Sequence, residues 1–164
     1  MPYTPILATL VYVVSPPRTE VLLIHRTTRP GDPAFGKYNG LGGKVERGEN
    51  VGDSLQRELG EEAGITATET TFRGTVSWPG FGKNGEDWLA FIFVVSTWSG
   101  DPLTENAEGV LSWQPVTRLL SGELPLWSGD KHFLPLVFDG DPRPFHGVMP
   151  YADGEPVSWA VTRL

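Results

Sequence analysis

Residues 43–65 read GKVERGENVGDSLQRELGEEAGI, and the acidic pattern near the end of this stretch decides how the chain is interpreted. Glu58, Glu61 and Glu62 are spaced i, i+3 and i+4, so on a helix their carboxylates share one face within a single turn. Carboxylates this close repel one another, and a divalent cation would supply the missing opposite charge. Oxygen ligands with residual water suit Mg²⁺ or Mn²⁺ better than zinc. The alternative for such a motif is a solvated acidic helix face.

The positions around these glutamates extend the pattern and weigh against that alternative. The stretch fits G-x5-E-x7-R-E-U-x-E-E-x-G-U, where U is aliphatic, at Gly43, Glu49, Arg57, Glu58, Leu59, Glu61, Glu62, Gly64 and Ile65. A chance match somewhere in the 164 residues has a probability on the order of 10⁻⁶ or less. The stretch resembles the Nudix box. The resemblance implies a hydrolase that cleaves a nucleoside diphosphate linked to another group, using Mg²⁺ ions and water.

The same resemblance assigns roles to residues of the box and to one glutamate beyond it. Arg57 is expected to pair with Glu49 or Glu62 and hold the carboxylates in place, although a simple surface ion pair is an equal alternative. Glu108 resembles, by its place in the chain, an extra acidic residue of relatives, and its alternative is a loop carboxylate in solvent. The expected metal ligands are Gly43 through its carbonyl, Glu58, Glu61, Glu62 and Glu108, and the expected catalytic residues are these four glutamates with Arg57.

Local signals predict the elements around the box. The helix is expected to begin after the N-cap Asn50 and to end at Ala63, with Gly64 in a left-handed conformation. Val51, Leu55 and Leu59 repeat every four residues and form its buried stripe. Strands are predicted at 6–14, 21–25, 71–78, 88–97, 110–113, 148–151 and 157–162, with a loop at 27–37 and an Asp-Gly hairpin turn at 152–155. A second helix is predicted within 126–137, kinked or begun late because of Pro135. With the resemblance, these elements predict one domain over 1–164, an α/β/α sandwich around a mixed β-sheet.

Composition restricts the classes of partner. The chain has no cysteine, which excludes disulfides and thiolate chemistry and fits a reducing compartment. A formal net charge of −7 argues against binding long nucleic acid through its phosphates, but allows a small phosphorylated substrate held through metal ions. The apolar run 6–14 is too short to span a bilayer, and no signal peptide is recognisable. We therefore expect a cytoplasmic protein that does not bind membranes.

Further stretches resemble the MutT-like subgroup of oxidised-purine nucleoside triphosphatases, which hydrolyse 8-oxo-dGTP. They are residues 36–45, Leu126-Trp127, the run 133–136 and residues 145–147. The resemblance implies that Asn39 hydrogen-bonds the purine edge and that Trp127 stacks on the base, with Asp130 and Lys44 also in the substrate site. An amide offers a donor and an acceptor in one plane, and an indole offers a large stacking surface. A turn asparagine and a core tryptophan are the alternatives.

One departure from the subgroup concerns base reading. Relatives follow the tryptophan with two adjacent aspartates, whereas this chain has Ser128-Gly129-Asp130 and keeps the second carboxylate alone. Strict discrimination of 8-oxoguanine is therefore in doubt, and Gly129→Asp is expected to sharpen it. Phe35, Trp78 and Trp88 are further candidates for the pocket wall, with core packing as the alternative.

Two other functions stay open. An ADP-ribose type diphosphatase is one, because Pro79 lies 14 residues after Ile65, close to where that subgroup carries a proline. A Nudix module that senses a nucleotide without turnover is the other, although such modules usually lose box glutamates and this chain keeps them. The sequence leaves the oligomeric state, the preferred metal and the general base open.

Overall fold

The computed structural model describes residues 1–164 and contains three helices and twelve strands. The helices are α1 Val51–Ala63, α2 Val116–Leu120 and α3 Asp130–Phe138. The strands are β1 Ile6–Val14, β2 Glu20–Arg26, β3 Tyr38–Asn39, β4 Leu41–Lys44, β5 Thr66–Trp78, β6 Trp88–Ser99, β7 Glu105–Asn106, β8 Gly109–Pro115, β9 Phe145–Val148, β10 Tyr151–Ala152, β11 Glu155–Pro156 and β12 Ala160–Arg163. None of the helices is long and apolar enough to cross a membrane.

The main sheet is mixed, as the sequence predicted. Its strand order is β12-β9-β5-β6-β1-β2-β8-β7, with β3 paired to β2 and β4 paired to β1. Strand β1 lies parallel to β6 and antiparallel to β2 and β4. A strand covered on both faces reads as a nearly continuous apolar run, and β1 has the sequence ILATLVYVV.

Two hydrophobic cores lie on opposite faces of this sheet. Because alternate residues of a strand point to opposite faces, Val11 and Val13 of β1 enter one core, while Tyr12 and Val14 enter the other. The first core contains the buried side of α1, and the second contains buried residues of α2 and α3. The architecture is the predicted sandwich of helices around a mixed sheet.

The box helix has the predicted caps. The Asn50 side chain accepts a hydrogen bond from the backbone N–H of Asp53 at 3.0 Å, and the Asp53 carboxylate bonds back to Asn50. Gly64 has φ +67° and its N–H donates to the carbonyl of Gly60 at 3.2 Å, which ends the helix. Leu55 and Leu59 are fully buried, and Val51 is half-buried. Both ends of α1 and its buried stripe are confirmed.

Several boundaries outside the box differ from the predictions. Strand β5 begins at Thr66, five residues before the predicted start, because its exposed half is a polar extension paired with β6. The short helix α2 was not predicted, whereas α3 is the predicted second helix with its late start, at Asp130, and contains Pro135.

The C-terminal strands also differ. The predicted runs 148–151 and 157–162 are replaced by β9 and β12, which pair with each other, while β9 also lies parallel to β5. The Asp-Gly turn is confirmed: Asp153 and Gly154 have φ +51° and +79° and connect β10 to β11.

Candidate active site

The glycines of β4 carry the backbone directly beneath helix α1. A side chain at Gly43 would collide with the Glu58 carboxylate, and one at Gly42, which has φ +128°, would collide with the Thr9 carbonyl. Glycine at both positions therefore lets strand and helix approach until the backbone meets the carboxylates. The carbonyl of Gly43 and the side chain of Glu58 belong to the same small region, as the sequence predicted.

Two glutamates of α1 face this backbone in a desolvated setting. The N–H of Gly42 donates to Glu62 Oε2 at 3.1 Å. The pKa of the Glu62 carboxyl is raised to about 8, mainly by burial and also by the negative charges of Glu108 and Glu58, whereas the hydrogen bond from Gly42 lowers it. Burial also raises the pKa of Glu58. Burial therefore disfavours the charged form of both carboxyls.

Arg57 connects the box glutamates to the loop that precedes α1. Its guanidinium binds Glu49 in a bidentate manner, with Nη2–Oε1 2.7 Å and Nε–Oε2 3.1 Å, and donates to the Lys44 carbonyl at 3.0 Å. It also reaches Glu58 Oε1 at 3.1 Å and Glu61 Oε2 at 3.4 Å. Hydrogen bonds from Arg57 lower the pKa of Glu49 to about 2.

The pairing of Arg57 with Glu49 was predicted, whereas the alternative pairing with Glu62 was wrong because Glu62 turns toward Gly42. Arg57 thus fixes the backbone of β4 and the side of α1 relative to each other.

Glu108 reaches the same region from the turn between β7 and β8. Its backbone N–H donates to Asn106 Oδ1 at 2.8 Å, and Asn106 Nδ2 donates to the Glu62 carbonyl at 2.9 Å. Arg26 Nη1 lies 3.7 Å from the Glu108 carboxylate. Asn106 therefore couples the position of Glu108 to helix α1. Neither Asn106 nor Arg26 was identified from the sequence, since the contacts join segments far apart in the chain.

The carboxylates fit a hard divalent cation by charge and donor type, but they are spread apart. Glu58 is held by Arg57, Glu62 by the Gly42 N–H, and Glu61 points outward with its side chain 61% exposed. No three acidic or histidine side chains converge closely enough in this structure to form a ready metal cage. Repulsion between neighbouring carboxylates adds to burial in raising the pKa values of Glu58 and Glu62.

An aromatic cavity of about 200 Å³ opens beside the glycines of β4. Gly42 and Gly43 line one side, and Asn39, Trp127 and Asp130 line another. The aromatic part of the wall consists of Trp78, Trp88, Phe81, Tyr12, Phe133 and Tyr151, and Arg26 adds a charged side chain. Phe35, which was a candidate for the wall, lies outside the cavity and is 42% exposed. The β4 backbone at Gly42 and Gly43 therefore lies between the cavity and the carboxylates of α1 and contacts both.

Asn39 and Trp127 form a hydrogen-bonded pair in this cavity. Trp127 Nε1 donates to Asn39 Oδ1 at 3.0 Å. Because an indole nitrogen is a donor and never an acceptor, the atom facing it must be the amide oxygen, which fixes the orientation of Asn39. The Asn39 Nδ2 group is buried and has no partner. Trp127 is held further by Phe81, edge to face at 5.0 Å, and by Lys37 Nζ, 4.7 Å from the ring centre.

Asp130 begins helix α3 at the same cavity, whereas Lys44 lies apart from it. Burial raises the pKa of Asp130 to about 7, and the charge of Lys37 lowers it by a smaller amount. The exposed Lys44 places its Nζ 5.5 Å from the Trp88 ring centre, beyond the cavity lining. Asp130 thus accompanies Asn39 and Trp127, and the structure does not bring Lys44 to them.

Gly129 is enclosed by two side chains that the sequence did not point to. A side chain there would collide with the Tyr151 hydroxyl and with Met149 Sδ. An aspartate at position 129 would displace these side chains. Gly129→Asp is therefore not expected to sharpen the base preference. The space beside Asp130 is filled by a phenol.

Comparisons with known proteins agree with this geometry. The NUDIX domain profile matches residues 4–137. The chain is 32% identical over 136 residues to the Nudix hydrolase YvcI of Bacillus subtilis, covering 80% of this chain and 79% of that protein. It is 33% identical over 135 residues to the oxidized purine nucleoside triphosphate hydrolase of Danio rerio, covering 82% and 81%.

A crystal structure of the MutT protein from Bacillus halodurans superposes with a TM-score of 0.78 and 28% identity, covering 95% of this chain and 97% of that one. The box glutamates, the glycine-rich strand beneath them and these relatives lead to one assignment. The chain belongs to the Nudix family of pyrophosphohydrolases.

Proposed function

We propose that this Nudix hydrolase cleaves purine nucleoside triphosphates, including oxidised ones such as 8-oxo-dGTP, to the nucleoside monophosphate and pyrophosphate with the aid of Mg²⁺. The main support for the proposal is that the aromatic cavity and the carboxylate region of the box share one wall. Gly42 and Gly43 line the aromatic cavity and also lie against Glu62 and Glu58. A base in the cavity would direct its phosphates toward the carboxylates. The activity of the Danio rerio relative, hydrolysis of oxidized purine nucleoside triphosphates, supports the same substrate class.

The box residues provide what a metal-dependent hydrolase requires. Glu58, Glu61, Glu62 and Glu108, with the carbonyl of Gly43, would hold Mg²⁺, or Mn²⁺ in its place. When bound, such ions neutralise phosphate oxygens and lower the pKa of a coordinated water. Arg57 is the positioning residue, because its bonds to Glu49 and to the Lys44 carbonyl fix the carboxylates relative to β4.

The cavity residues select and orient the nucleoside. The Trp127 ring packs against Phe81 and offers a face on which a base can stack. The Asn39 Nδ2 group has no hydrogen-bond partner in the protein and can donate to an acceptor on the base. A buried donor without a partner costs about 1–3 kcal/mol, so a ligand that supplies an acceptor there gains that amount. Asp130 adds a carboxyl that accepts hydrogen bonds when ionised and donates one when protonated. Lys44, on the rim, is a candidate contact for the phosphates rather than for the base.

A substrate panel tests the proposal. With Mg²⁺ present, kcat/KM is measured for dGTP, 8-oxo-dGTP, oxidised dATP, ADP-ribose and a diadenosine polyphosphate. The proposal expects the purine triphosphates to rank first and Glu62→Gln to lower kcat by roughly 10²-fold. Glu123→Gln, which alters an exposed glutamate paired with Arg118 at 3.3 Å, is the matched control and should leave activity unchanged. A first rank for ADP-ribose would replace this proposal with a diphosphatase of that type, and tight binding without turnover would indicate a sensing module.

A further inference from the structure

Tyr151 is brought to the cavity by the C-terminal hairpin of β10 and β11. Its backbone N–H donates to the Pro79 carbonyl at 2.7 Å, and its ring packs edge to face against Phe81 at 5.0 Å. The hairpin is also tied to the segment after Trp127, because Ser128 Oγ donates to Glu155 Oε2 at 2.7 Å. The ring is 8% exposed. Its position is therefore fixed from both sides of the cavity.

The Tyr151 hydroxyl occupies the space that a side chain at residue 129 would need. It is one of the two groups that any Cβ at Gly129 would meet. The phenol oxygen lies beside Gly129, whose backbone N–H lowers the pKa of the phenol. A hydroxyl has one hydrogen to donate and two lone pairs with which to accept. Since Tyr151 lines the cavity, that hydrogen is available to an acceptor on a bound ligand.

The phenol remains a donor at every pH at which the enzyme would work. Burial raises the pKa of Tyr151 to about 12, and the neighbouring charge of Asp130 raises it as well. Asp130, by contrast, titrates at about pH 7 and changes between donor and acceptor. The residues lining the cavity therefore carry several constant donors, namely the Asn39 amide, the Tyr151 hydroxyl, the Trp88 indole and the Arg26 guanidinium, beside one carboxyl that changes.

We propose that the Tyr151 hydroxyl is a specificity-determining donor that selects purines carrying a carbonyl oxygen at C6. Guanine-type bases present acceptors at O6 and N7, whereas adenine keeps the N7 acceptor but presents an amino donor at its sixth position. Facing an amino group, the hydroxyl would have to turn its own hydrogen away and Asn39 Nδ2 would stay unpaired, whereas a carbonyl oxygen can accept from both. This inference rests on the proposed function, because it assumes that a purine occupies the cavity.

Tyr151→Phe removes the hydroxyl and keeps the ring against Phe81. The variant should lose about 3- to 10-fold in kcat/KM for dGTP, the value of one neutral hydrogen bond, and should stay within about 2-fold of wild type for dATP. Tyr3→Phe is the matched control, because the exposed Tyr3 hydroxyl bonds Ser77 Oγ at 2.6 Å outside the cavity. Thermal denaturation of each variant checks the fold.

A substrate-side comparison gives the same information without relying on one variant. Wild-type enzyme should prefer the triphosphate of inosine to that of unsubstituted purine, which lacks the C6 oxygen, and Tyr151→Phe should reduce this preference. Tryptophan quenching by dGMP and dAMP gives their dissociation constants without metal. Tyr151→Phe should weaken the binding of dGMP more than that of dAMP.

The outcomes separate the two claims. An unchanged guanine-to-adenine ratio in Tyr151→Phe, or an equal loss for both bases, overturns the role of the hydroxyl while wild-type hydrolysis of purine triphosphates still supports the proposed function. Absence of purine binding and hydrolysis in the wild type overturns the proposed function itself.

Discussion

Replacing Asn39 by aspartate inverts one hydrogen-bonding group in the cavity with almost no change of shape. One carboxylate oxygen still accepts the hydrogen bond from Trp127 Nε1, which is 3.0 Å long in the wild type. The other oxygen takes the place of the buried Nδ2 group that has no partner in the free protein. The variant therefore tests the donor without disturbing the orientation of Trp127.

The magnitude follows from the two hydrogen-bonding states. Losing the bond from Nδ2 to the base costs about 0.5–1.5 kcal/mol, and facing two acceptors in a buried site costs about 1–3 kcal/mol more. The sum, about 1.5–4.5 kcal/mol, corresponds to a roughly 10- to 2000-fold loss in affinity for guanine nucleotides. A protonated carboxyl can donate again, so the loss should be smaller at pH 5 than at pH 8.

The assay is the dissociation constant of dGMP from tryptophan quenching, measured for wild type and Asn39→Asp at pH 5 and pH 8. Asp130, whose pKa is about 7, changes its protonation between pH 5 and pH 8 in both proteins. Dividing by the wild-type dissociation constant at the same pH removes this contribution. Asn84→Asp, in the exposed turn before β6, is the matched control. Wild-type affinity of Asn39→Asp at pH 8 would refute the reasoning that Nδ2 awaits an acceptor on the base.

Three further predictions concern neighbouring groups. Trp127→Ala should lower kcat/KM for purine triphosphates roughly 5- to 150-fold, the value of about 1–3 kcal/mol for one stacked base, and an unchanged value would remove Trp127 from the site. The raised pKa of Asp130 means that the folded protein holds this proton more tightly than the unfolded chain. The free energy of unfolding should therefore fall as pH rises from about 4 to about 7 and then level off. Denaturant titrations should show wild type losing up to about 3 kcal/mol relative to Asp130→Asn between pH 5 and pH 8, and parallel curves would contradict the burial of this carboxyl. Arg57→Lys cannot bind Glu49 in a bidentate manner and should lower kcat roughly 10- to 100-fold with little change in KM, whereas wild-type kcat would reduce Arg57 to a surface ion pair.

The parts of the fold that were predictable depend on local chemistry. The ends of α1 follow from Asn50 and Gly64, whose conformational roles act within a few residues. The hairpin of β1 and β2 and the Asp153-Gly154 turn are local in the same sense. The spacing of the box glutamates on one helical face is likewise a property of the helix alone.

The parts that were not predictable depend on contacts between distant segments. The C-terminal strands take their register from β5, so their limits cannot be read from residues 145–163 alone. Asn106 and Tyr151 enter the site through hydrogen bonds and packing that the sequence does not mark. The packing of Tyr151 and Met149 against Gly129 was not predictable either, because a glycine in a sequence does not indicate which side chains lie against it.

The products of dGTP hydrolysis test the central claim most directly. Incubation with Mg²⁺ followed by ³¹P NMR should show dGMP and pyrophosphate, and the signals should be lost with EDTA and strongly reduced in Glu62→Gln. Release of dGDP and orthophosphate, or full activity of Glu62→Gln at saturating Mg²⁺, would contradict the claim that the box glutamates of this chain direct pyrophosphohydrolysis of a purine triphosphate.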